Sequence, residues 1–184
     1  MYERTKIDSK DSLANEAIAK MRFEWVRDEI RHSVDYQMNP VTWLASDVLH
    51  YKTGYSHVKS HLLAVLLRGN GIPAVFCYQH LSIDDTNAPY SLHGFNGVYL
   101  PEFGWYRMDA RNKERVDAQF TPPHEKLAFK IQFLEEADFS SILPELLTVV
   151  IEALQSHITW EWMLQNLPNV SLENATNYGL SSSS

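Results

Sequence analysis

The run "SHVKSHLLAVLLRGNGIPAVFCYQHLSI", from Ser56 to Ile83, constrains the fold more than any other part of the chain. From Ser56 to about Gly69, apolar side chains occupy almost every face of a helical wheel. A helix with no solvent face must lie at the centre of a domain, covered by other elements. Gly69, Gly71 and Pro73 end it. The period then drops from 3.6 to 2: Val75, Cys77, Gln79 and Leu81 alternate with Phe76, Tyr78 and His80, in a stretch rich in strand formers. A buried helix that hands over directly to a strand requires a sheet for both to pack on.

The flanks supply the partners. Residues 12–34 space Leu13, Ala17, Met21, Trp25, Val26, Ile30 and Val34 along one helical face. Pro40 closes that region, and "VTWLASDVLHYK" predicts a second, short helix ended by Gly54. After the central strand, "SLHGFNGVYL" and "WYRMDA" read as two strands joined through "PEFG". "RVDAQF" and "KLAFKIQFL" suggest further strands, and residues 142–168 return to helical spacing. Helices, then strands, then a helix is the order of an α+β protein with an antiparallel sheet. Residues 1–168 read as a single domain, and the polar tail 169–184 as disordered.

The net charge of −7 argues against a nucleic-acid surface and against an anionic membrane surface. No apolar run approaches the roughly 18–20 residues of a membrane span. "MYERTKIDSKDS" does not read as a secretory signal, and one cysteine allows no internal disulfide; together they suggest a reducing, cytoplasmic setting.

Three residues stand out as a set. Ser56 opens the buried helix, where the positive end of the dipole and unpaired backbone N–H groups favour a nucleophile and a developing oxyanion. His93 lies near the start of one hairpin strand and can take a proton; Asp109, at the end of the next, can orient it. The hairpin register is not fixed by sequence, so the His93–Asp109 contact is an inference. Each residue has a plainer reading: Ser56 as a helix cap, His93 as a strand histidine satisfied by backbone, Asp109 as a turn residue. Cys77, in an alternating strand, reads as an inert core thiol. His57 and His61, four apart, could share a metal, but Lys59 lies between them and no zincin glutamate accompanies them. Gln79 and Trp105 are candidate substrate contacts, with a buried amide and hairpin packing as their plainer readings.

Together, "WVRDEIRHSVD", "ASDVLHYKTGYSHVKSHLLAVLLRGNGIPAVFCYQHL" and "HGFNGVYLPEFGWYRMDA" resemble the transglutaminase-like superfamily, within the papain-like cysteine hydrolase fold. The resemblance implies acyl transfer on amide or peptide bonds by a peptidase, amidase or transamidase, with no metal or organic cofactor and a peptide or protein substrate. It places the family's histidine on His93 and its aspartate on Asp109. The nucleophilic cysteine falls on Ser56. Three explanations compete for that serine: a deliberate replacement, a natural loss that leaves a peptide- or protein-binding module, or a working serine nucleophile. A hydroxyl is far less acidic than a thiol, so very low activity is expected of the chain as written.

Overall fold

The protein is described by a computed structural model covering residues 9–84, 88–112, 116–156 and 158–182. The expected α+β architecture is present. Helix α1 (Ser9–Glu29) leads to the two-residue strand β1 (Arg31–His32), helix α2 (Ala45–Tyr51) and strand β2 (Thr53–Gly54), which pairs parallel with β1. The central helix α3 spans Ser56–Arg68. Strands β3 (Ala74–Ser82), β4 (Tyr90–Leu100), β5 (Gly104–Met108) and β6 (Ala137–Asp138) form an antiparallel sheet in the order β5-β4-β3-β6. Helices α4 (Thr148–Ser156) and α5 (Trp160–Gln165) and a 3-10 turn at Leu172–Tyr178 follow.

Helix α3 is largely buried, with Val58, Leu62, Leu63, Ala64 and Leu67 all inside, but it keeps a narrow outer strip on which Val65 is 45% exposed. Burying a side chain of that size is worth about 1.5–3 kcal/mol, so this helix organises the core. The turn that ends it places Gly71 at φ 74°, a conformation that glycine adopts without strain. Lys59 is buried as well. Its ammonium donates to the carbonyl of Ile30 and, at 2.8 Å, to Oδ1 of Asn112, tying the end of α1 to α3 and to the segment after β5.

The sheet has two distinct faces, because side chains alternate along each strand. Even-numbered residues face α3 and the core: Asn96 donates to the Ser60 carbonyl at 3.0 Å, and Tyr106 meets Phe120 edge-on. Odd-numbered residues, among them Cys77, Gln79, His93, Phe95 and Arg107, face the other way. There the Arg107 guanidinium lies over Phe95 and pairs with Glu125 and Asp138.

Four sequence expectations are corrected. The buried face of α1 is Ala19, Phe23 and Val26, continuing to Ile30, whereas Leu13 is 65% and Met21 52% exposed. The Phe23 ring, packed at a tilt against Phe120 with centroids 6.0 Å apart, sets the rotation of the helix. The segments around "RVDAQF" and "KLAFKIQFL" form no extended strands; among the described residues they share one bridge, Gln119–Lys126. In the second of them, the N–H groups of Ala128, Gln132 and Phe133 bond instead to carboxylates. The 142–168 region is two short helices preceded by an extended stretch in which Leu143 bridges Phe76. The tail is not disordered over 171–182: Leu180 is fully buried and Ser182 bridges Phe139, so its few apolar groups are used in packing.

Candidate active site

A cleft of about 220 Å³ opens where the N-terminus of α3 meets β4. Ser56, His57 and His93 line it together with His32 and Arg111, and an apolar wall including Leu81, Leu164 and Leu167 completes it. The close approach of α3 to β4 depends on Gly94. A Cβ there would come within 2.8 Å of Cδ2 and 3.2 Å of Cα of His57. The same proximity lets the Gly94 N–H donate to Ser56 Oγ at 3.4 Å.

The hairpin register brings His93 and Asp109 together. Asn96 opposes Met108, so Asp109, the next residue after β5, comes alongside the start of β4. His93 Nε2 and Asp109 Oδ2 are 2.7 Å apart. Asp109 is almost wholly buried and also accepts the Arg111 N–H at 3.1 Å and the Ala128 N–H at 3.2 Å. Burial alone would raise its pKa. The neighbouring imidazole, the hydrogen bonds from His93 and Ala128, and Arg111 outweigh burial and hold the carboxyl below the usual carboxylate range. Asp109 is therefore an anion in direct contact with the His93 imidazole. Among the described residues no hydrogen bond joins Ser56 to His93.

Two further histidines line the cleft. His57 is buried and makes only a weak approach to the Leu92 backbone, without a full hydrogen bond. Burial, then the nearby His93, lowers its pKa to about 3. His32 is lowered well below its ordinary value by burial, then by Arg111 and Lys59. Arg111 is held in a bidentate pair with Asp35. Neither extra histidine was singled out as part of an acyl-transfer site, and His32 could not have been: its position at the cleft follows from the β1–β2 pairing, which two-residue strands do not advertise.

His61 does not share a site with His57. It lies half-buried between the Trp43 carbonyl and the Phe76 ring, and among the described residues no group of three histidine, cysteine or acidic side chains could hold a metal. Cys77 is fully buried, and burial pushes its thiol up to about 12. Gln79 directly opposes His93 on β3, but its amide donates to the Phe129 carbonyl at 3.5 Å and it does not line the cleft. Trp105 opposes Tyr99 and packs edge-on against it. Six residues of strand separate Tyr99 from His93, roughly 20 Å, so Trp105 stands apart from the cleft.

The family model described as the transglutaminase-like superfamily matches residues 5–110, a span containing Ser56, His93 and Asp109. No curated protein matches the chain. A crystal structure of a candidate cysteine protease from Cytophaga hutchinsonii is similar over 60% of this chain and 45% of that one, with 16% identity and a TM-score of 0.39. The chain thus spans less than half the length of that protein.

Proposed function

The chain belongs to the transglutaminase-like superfamily, and from that premise we propose that its cleft carries out acyl transfer on amide or peptide bonds. The observation that carries the reading is the His93 Nε2–Asp109 Oδ2 pair at 2.7 Å in the cleft wall that also holds Ser56 at the start of α3. Asp109 uses Nε2 of the imidazole, so Nδ1 is the nitrogen left to exchange a proton with the nucleophile. His93 takes the proton of the attacking group and returns it to the leaving amine. Asp109 stabilises the imidazolium formed between those two steps. The first N–H groups of α3, at the positive end of a 13-residue helix, are placed for the oxyanion. The substrate is a peptide or protein amide, and no step requires a metal or an organic cofactor.

Ser56 stands where the family's thiol belongs. Its hydroxyl needs the base in contact to lose its proton, and its hydrogen bond here is with Gly94. Turnover by the chain as written is therefore expected to be very low. That same bond favours a second reading, a silent cleft that binds a peptide without cleaving it. Acyl-enzyme and thiol-directed activity probes applied to the given chain and to Ser56→Cys separate the two. Acylation of the cysteine form, abolished by His93→Ala, is the result expected; a cysteine form that binds peptide but never acylates would establish the second reading.

A further inference from the structure

The odd-numbered face of the sheet is covered beside the site by residues 126–136, a segment that touches Gln79 and Ser82 of β3 and His93 of β4 without joining them as a strand. Carboxylates and an amide hold it there. Near its start, the Ala128 N–H donates to Asp109 Oδ2, the oxygen that also meets His93 Nε2. One residue on, the Phe129 carbonyl accepts from the Gln79 amide. At its far end, Glu136 accepts three backbone N–H groups, from Gln132 at 2.7 Å, Phe133 at 3.2 Å and Ser82 at 2.9 Å. These ties lay the Phe129 ring against the imidazole of His93, with centroids 4.9 Å apart and planes at 86°. Phe95 lies nearly parallel to the imidazole at 6.0 Å.

We propose that Phe129 is a positioning residue for His93, acting through the imidazole rather than on substrate. The inference rests on the reading of His93 as the base. A histidine ring has a broad, roughly two-fold torsion about its Cβ–Cγ bond. Turning it over exchanges Nε2 with a carbon and Nδ1 with a carbon, which removes the Asp109 bond and the nitrogen left for the nucleophile together. A ring packed at right angles obstructs that rotation and keeps water from the Nε2–Oδ2 bond. Ala128, adjacent in the chain, couples the placement of Phe129 to Asp109 itself.

The test uses 15N-histidine NMR on the full chain and thiol alkylation on its Ser56→Cys form, with Phe129→Ala, Phe129→Leu and Phe129→Tyr in each. Phe129→Ala and Phe129→Leu are expected to convert the His93 signal from a single Nε2–H tautomer to a mixture. In the cysteine form the same changes should lower alkylation at pH 6.5 roughly tenfold, the loss of thiolate for one pH unit of midpoint. Phe129→Tyr, which keeps the ring, should restore both readouts. Leucine fills most of the volume, so it serves if the alanine form does not fold. An unchanged tautomer in folded Phe129→Leu, whatever happens to its melting temperature, would overturn the proposal and leave Phe129 a packing residue. The base reading is judged separately, by whether His93→Ala alters the alkylation midpoint while Phe129 is intact.

Discussion

At the residue scale, chemistry at the cleft turns on which atoms can lose a proton. A cysteine at position 56 would sit at the N-terminus of α3 in the same cleft wall as His93. Both features favour a thiolate, so the alkylation midpoint of Ser56→Cys is expected below the free-cysteine value of about 8.5. His93→Ala should move it upward. A stopped-flow pH series with a small alkylating reagent measures both, and a midpoint near 8.5 that ignores His93 would count against the acyl-transfer reading. Cys77 provides the contrast. Its burial raises the pKa to about 12, so at pH 8 almost no thiolate exists and access is blocked. In the given chain, labelling should be slow under native conditions and fast in denaturant. Rapid stoichiometric labelling of the folded protein would show that its strand exposes the sulfur.

Gly94 decides how closely two elements meet, and so belongs to the scale of helix and strand. Its missing side chain lets β4 lie against the first turn of α3, with a hypothetical Cβ only 3.2 Å from the Cα of His57. Backbone cannot step aside as a flexible side chain can. Gly94→Ala is therefore expected to cost roughly 1–3 kcal/mol, as overpacking does, and to disturb the Ser56–Gly94 contact. Gly71→Ala supplies a control of a different kind. It places a side chain at φ 74° with open space around it, which costs about 1–2 kcal/mol through backbone strain alone. Urea denaturation gives both costs, and the alkylation midpoint in the Ser56→Cys background tells them apart: it should change for Gly94→Ala and hold for Gly71→Ala.

Across the whole molecule, two buried histidines link stability to pH. His57 and His32 are neutral when folded, with pKa values depressed below their unfolded value of about 6.5. Their contribution is complete above pH 6.5. It is lost as the pH falls below that point, because the unfolded chain binds protons that the folded one refuses. For His57 the loss extends down to about 3. Each group adds a slope of about 1.4 kcal/mol per pH unit at its steepest. Asp109 acts in the same direction at lower pH, since its carboxyl is held below the usual range. Denaturation midpoints between pH 7 and 4.5 should fall steeply for the given chain and less so for His57→Gln. Equal slopes for the two would mean that His57 is protonated in the folded state.

The helix and strand that define the core were legible in the sequence because each is a local pattern of one period. Ser56, His93 and Asp109 could be put forward as a set through the family resemblance, but the hairpin register that brings His93 to Asp109 could not be read from the sequence. What escaped is what arises between elements. The rotation of α1 follows from the packing of Phe23 against Phe120, not from the evenness of its apolar spacing. Residues 126–136 contain strand formers yet give the Ala128 N–H to Asp109 and the Gln132 and Phe133 N–H groups to Glu136, bonds that a strand periodicity does not announce. Trp105 has the composition of a substrate wall but the wrong place along β5. His32 reaches the cleft from one segment, and Phe129 and Glu136 from another far along the chain. Periodicity is set by neighbours along the chain; the lining of a cleft is set by which elements close around it, and only the tertiary structure decides that.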